Sequence, residues 1–108
     1  MAPALRNLVD VAQRHGLVAR PWKTCVMIAP AKHRGRALIT VWPAPQPDGR
    51  VKVYLSPETF AQFFPVTEEQ VRTALCQSGG SRMLDAEAIG MIANGLSGLL
   101  ANSPEDES

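Results

Sequence analysis

Two kinds of periodicity divide this chain, and their segregation limits what it can fold into. Between residues 22 and 55 apolar side chains recur at every second position in three runs. After residue 55 they recur at helical spacing behind well-marked helix starts. Strands followed by helices, rather than strands alternating with helices, specify an α+β arrangement with an antiparallel sheet.

The first run, residues 22–29, sets Trp22, Thr24, Val26 and Ile28 against Lys23, Cys25, Met27 and Ala29. The second, residues 36–42, sets Ala37, Ile39 and Val41 against Arg36, Leu38, Thr40 and Trp42. In the third, residues 50–55, Val51, Val53 and Leu55 form an apolar face and Arg50, Lys52 and Tyr54 a basic-aromatic one. The connections, residues 30–35 and the proline-rich 43–49 ending in Asp48-Gly49, are loops by composition. The pattern predicts a three-stranded antiparallel meander.

A helix over residues 3–15 precedes it, with Leu5, Leu8, Val9 and Ala12 on one face, Pro3 in the first turn and Gly16 just past the end. His15, in the last turn, reads as a capping or surface residue. Three helices follow the strands. Ser56 caps the first, with Pro57 at its opening position, and Pro65 ends it. Thr67 and Gln70 form a capping box for the second, which Ser78-Gly79-Gly80 stops. Asp85 caps the third, whose stripe is Ile89, Ile92, Ala93, Leu96, Leu99 and Leu100. Gly90, Gly95 and Gly98 each cost that helix about 1 kcal/mol relative to alanine. Gly95 and Gly98, beside Ala93 and Ser97, therefore predict a close backbone approach, most simply by the N-terminal helix of the same chain, otherwise by a symmetry mate. A break at Asn94-Gly95 is the alternative.

The expected architecture is thus α+β: an N-terminal helix, a three-stranded antiparallel meander, then three helices packed on one sheet face. At 108 residues the chain suits one domain, placed at residues 1–101, with an acidic, disordered tail at 102–108. The expected core is Leu8, Val26, Ile28, Ile39, Val41, Val53, Leu55, Phe60, Phe64, Leu75, Ile89, Ile92, Leu96 and Leu99. No apolar run approaches the roughly 20 residues that span a bilayer, and the first residues lack the order of a secretion signal. A cytoplasmic protein with no membrane partner is expected, with Cys25 and Cys76 as buried free thiols.

Charge is divided by half. Residues 1–54 carry nine cations against Asp10 and Asp48, while residues 55–108 carry Arg72 and Arg82 against eight carboxylates, for a net charge of +1. Glu58, Glu68, Glu69, Asp85 and Glu87 fall at helix starts, where each contributes ~0.3–1 kcal/mol against the dipole. The cations have no such local explanation.

Catalytic constellations are thin. No His-Glu-x-x-His, paired cysteines, Gly-x-Ser-x-Gly or phosphate-binding loop is present. His33, amid Lys32, Arg34 and Arg36, reads as an exposed turn residue, and no metal, cofactor or enzymatic role is expected. An enzyme built on His33 or Cys25 ranks third among the readings. A helix-turn-helix reading of the first two C-terminal helices fails because Glu68-Glu69 would face phosphates. The leading expectation is a small interaction domain, acting through a protein partner or by homodimerisation across the outer sheet face. The competing one is a nucleic-acid-binding module using that face and the loop after the first run. The candidate contact residues are Lys32, Arg34, Arg36, Trp42, Arg50, Lys52 and Tyr54: the interaction reading uses Trp42, Lys52 and Tyr54 with the proline-rich loop 43–49, and the nucleic-acid reading adds Lys32, Arg34 and Arg36.

Overall fold

The computed structural model describes residues 3–101. In order, its elements are α1 (Pro3–Arg14), β1 (Leu17–Trp22), β2 (Cys25–Pro30), β3 (Ile39–Trp42), β4 (Val51–Leu55), α2 (Pro57–Phe63), α3 (Glu68–Leu75), β5 (Gly80–Leu84) and α4 (Ala86–Ala101). The class is α+β, but the sheet has five strands, antiparallel throughout and in the order β1-β2-β3-β4-β5. The acidic segment expected at 102–108 lies outside the described residues.

β1 is separated from β2 by a two-residue turn, and β5 forms by pairing with the edge of β4. The first run does not extend unbroken from residue 22 to 29. Its start is the end of β1, and Lys23-Thr24 turn the chain so that Trp22 pairs with Cys25. Lys23 adopts a left-handed φ of 44°. Such turns usually carry Gly, Asn or Asp, so the composition gave no warning. The reversal places Trp22 on the opposite face from Val26 and Ile28, not on the same one. The segment read as a helix stop and linker contains β5, which pairs with β4 from Leu55↔Gly80 to Val51↔Leu84. Gly79 and Gly80, at φ 105° and 79°, bring the chain from α3 into that edge strand.

The second run is also shorter than its alternation implies. Leu38 donates its N–H to the Ile28 carbonyl (2.7 Å) while Ile39 stands opposite Ile28 in the register. Two consecutive residues facing one form a β-bulge, which explains why Leu38 and Ile39 are both fully buried despite adjacent positions. The third strand begins at Val51, leaving Arg50 in the preceding loop.

The expected helix caps form. Thr59 N–H donates to Ser56 Oγ (3.4 Å), Gln70 N–H to Thr67 Oγ1 (3.0 Å), Thr67 N–H to Gln70 Oε1 (2.8 Å) and Ala88 N–H to Asp85 Oδ1 (2.9 Å). The helices' apolar faces cluster with Leu17, Ile28, Ile39, Val41, Val51, Val53 and Leu55 on one side of the sheet. Leu5, Leu38 and Val71 join this core, whereas Val26 and Leu99 are only partly buried. Cys25 is half-buried and Cys76 exposed, so the two free thiols are not core residues as expected.

The close approach predicted from the glycines exists, but its partner is α3. A Cβ built on Gly95 would overlap the Ala74 carbonyl oxygen, whereas one on Gly98 meets nothing within 4 Å. The expected partner, α1, does pack on α4, though not at these glycines, and just past its end His15 Nε2 lies 3.3 Å from Ser97 Oγ. Because the helix is continuous from Ala86 to Ala101, there is no break at Asn94-Gly95. Gly95→Ala should therefore destabilise the protein by about 1–3 kcal/mol, since α3 and α4 must part to admit the methyl group. Gly98→Ala should stabilise it by up to ~1 kcal/mol through helix propensity alone. Urea unfolding of the two variants checks the opposite signs.

Candidate functional site

Side chains on the sheet face opposite the core fall into two rows, fixed by register. Trp22 pairs with Cys25, Trp42 with Lys52, and Lys52 with Met83. The β2–β3 register, carried one step past Val26↔Val41, sets Cys25 beside Trp42. One transverse row therefore reads Trp22, Cys25, Trp42, Lys52, Met83. The next reads Arg20, Met27, Thr40, Tyr54, Ser81, every pair being in register. Four inter-strand steps make each row roughly 19 Å long.

The described residues leave this face open. Trp22 is 56% exposed, Tyr54 40% and Met83 38%, while Val51, Val53 and Leu55 on the other face of the same sheet are buried. Lys52 Nζ lies 4.8 Å from the centre of the Trp42 ring, and Lys23 Nζ lies 5.5 Å from that of Trp22. Both tryptophans of the chain are thus in one row, each with an ammonium over its ring. Neither row contains a carboxylate.

The seven residues expected to form one surface divide between the two ends of the sheet. Trp42 and Lys52 are direct neighbours, and Tyr54 lies in the adjacent row. Arg50 sits at the same end in the proline-rich loop, but its N–H and Nε both donate to Asp48, at 3.0 and 3.1 Å. That backbone N–H, reinforced by the Arg50 charge, holds the Asp48 carboxyl below the usual aspartate range. Lys32, Arg34 and Arg36 belong to the β2–β3 loop at the far end, about 10 Å away along β3. There His33 stacks on Phe63 (4.2 Å), Arg36 donates to Gln62 Oε1 (2.9 Å) and Arg20 donates to the Arg34 carbonyl (2.7 Å). These contacts anchor the loop to α2 and β1, apart from the tryptophan row.

Sequence reasoning missed Trp22, Arg20, Met27 and Met83, and placed Lys23 with the outer-face cations without counting it among the seven contact residues. Trp22 was assigned to the wrong face by the hidden turn, and Met83 lay in the unread strand. A cleft of about 540 Å³ between Met83 and the loop residues Gln46, Pro47, Asp48 and Arg50 adjoins the row. A second groove, about 750 Å³, lies between α3 and α4 with Glu69 as its only ionisable lining residue. Among the described residues no group of three or more His, Cys, Asp or Glu is placed to hold a metal, and no helix is long and apolar enough to cross a membrane.

No protein-family model, curated protein or solved structure matches this chain.

Both sheet edges are blunted. Pro21 removes one donor from β1, and Arg82 occupies a position on β5 that shares its face with Val53, yet stays exposed with Nη2 donating to Ser78 Oγ (3.0 Å). A charge at such an edge position opposes strand-to-strand pairing between molecules. Arg82→Val should increase self-association relative to the unaltered chain, as measured by sedimentation velocity across a concentration series. Asp48 should titrate below a free aspartate in side-chain carbon-13 NMR. Its stabilisation is complete above the unfolded carboxyl's pKa and is lost as pH falls through the lower folded value. Arg50→Ala, which keeps the N–H, should return the midpoint only part of the way.

Proposed function

We propose that this protein is a docking domain whose uncovered sheet face receives a segment of a partner protein. The single observation that carries this reading is that the exposed Trp22, Tyr54 and Met83 share one sheet face with the partly exposed Trp42 and Met27. Large apolar side chains gathered on one exposed face mark an interaction surface. Aromatic and methionine side chains are those enriched where protein interfaces concentrate their energy. Blunted edges favour the face over strand addition as the mode of contact.

Homodimerisation through this face is the weaker form of the proposal. Stacking two copies would bring Arg20, Lys23 and Lys52 against the same cations with no carboxylate in either row to offset them. Nucleic acid is weaker too. Its bases need free ring faces, and here lysines lie over both indoles. Its phosphates need a continuous cationic track, whereas the seven expected residues are divided between opposite ends, with Arg36 and Arg50 already engaged.

The test is selection from a displayed random-peptide library on the immobilised full chain and on a variant carrying Trp22→Ser, Tyr54→Ser and Met83→Ser. These side chains are already partly exposed, so the variant should keep its far-ultraviolet circular dichroism and melt within a few degrees of the parent. Peptides enriched on the parent should not bind the variant. Equal binding to both, enrichment on neither, or saturable binding of oligothymidylate that the variant loses would each overturn the proposal.

A further inference from the structure

We infer that the segment received by this face is acidic: one large apolar side chain with carboxylates on both sides. The inference rests on the docking reading and adds the chemistry of the partner. It comes from the order of groups along the tryptophan row. Lys23 lies over Trp22, Cys25 separates Trp22 from Trp42, and Lys52 lies over Trp42. Each of the two rings that stand on either side of Cys25 therefore carries an ammonium.

The centre of that arrangement is the half-buried side chain of Cys25. Trp22 and Trp42 rise from strands two inter-strand steps apart, about 10 Å between backbones. The side chain between them is a half-buried cysteine, far shorter than either indole. A leucine, phenylalanine or proline side chain of the partner laid over this cysteine is within reach of both rings. This is the arrangement by which a few aromatic anchors supply most of an interface's energy.

The flanks are cationic and unneutralised. Among the described residues the two ion pairs are Arg50–Asp48 and Arg72–Glu68, and neither involves Lys23, Lys52 or Arg20. The ring beneath each lysine restrains a side chain that would otherwise be among the most mobile on a surface. A carboxylate arriving there therefore immobilises less than it would at a free lysine. An ammonium over a ring still has N–H donors directed away from it, so a carboxylate binds without displacing the cation–π contact, whereas a stacking base must displace it. Carboxylates within the described chain offer no match in a second copy. Apart from Asp10 within α1, they sit at helix starts and in the Asp48 loop, where Glu68 and Asp48 are already paired.

The same library selection, sequenced, tests this inference separately from the docking reading. Peptides that depend on the face should share an apolar residue with Asp or Glu on each side. Synthetic tryptophan-free versions should change the chain's intrinsic fluorescence, which reports this site because both tryptophans lie in it. Lys23→Glu with Lys52→Glu should weaken them about tenfold or more and shift selection to Lys- and Arg-flanked peptides. Both lysines are peripheral to the core, so the double variant should remain folded, as circular dichroism would show. Face-dependent peptides without carboxylates, or carboxylate peptides indifferent to the double reversal, overturn the acidic partner and leave the docking domain standing. Absence of any face-dependent peptide, or a concentration-dependent dimer that the double reversal abolishes, overturns both.

Discussion

One-sided burial of the sheet is the constraint on which the rest of this molecule depends. The helices gather on a single face, where Ile28, Leu38, Ile39, Val41, Val51, Val53 and Leu55 meet Leu5, Leu8, Phe60, Leu75, Ile92 and Leu96. Burial of that face supplies the main driving force for folding, at roughly 25 cal/mol per Å² of apolar surface. It also leaves the second face without cover. The chain meets this with small, buried residues on the inner strands, Ala29 of β2 and Thr40 of β3, and with aromatic, methionine and lysine side chains elsewhere on the face. A face with that composition is stable in water and still attractive to a partner.

The helical layer reaches this arrangement through one tight contact. Gly95 brings the backbone of α4 against the Ala74 carbonyl of α3, closer than any side chain would permit. Capping boxes and prolines fix where α2, α3 and α4 begin, but the contact at Gly95 sets how α3 lies along α4. β5 threads between these two helices in sequence and adds to β4 at the sheet edge, carrying Met83 onto the open face. The geometry of the helical layer and the composition of the surface are thus coupled through a five-residue strand.

Much of the fold was legible in the residues. Alternation in 50–55 identified β4 and its two faces, and the Ser56, Thr67 and Asp85 caps located three helix starts, because these signals are local and act within one turn or one strand. What escaped was non-local or locally disguised. Lys23-Thr24 turn without the residues that announce a turn. Gly80–Leu84 is mostly exposed, so it shows no alternation, and it is a strand because β4 offers an unpaired edge. The bulge at Leu38 brings that residue into the core beside Ile39, which a single strand's alternation cannot show, while Ile39 to Trp42 keep the faces their alternation assigns. The surface was affected in the same way. Trp42, Lys52 and Tyr54 were placed together from one run and its neighbour, but Trp22 was put on the wrong face, and Lys32, Arg34 and Arg36 were grouped with residues at the other end of the sheet.

By itself the sequence determined the class of fold, the helix boundaries and the presence of a cationic, aromatic strand face, because periodicity and capping chemistry are properties of adjacent residues. Only the tertiary structure decided the number of strands and their register. It alone decided which helix meets Gly95 and that both tryptophans stand in one row with a lysine over each. Those depend on which distant backbone groups satisfy one another's hydrogen bonds, and that pairing is settled when the whole core closes.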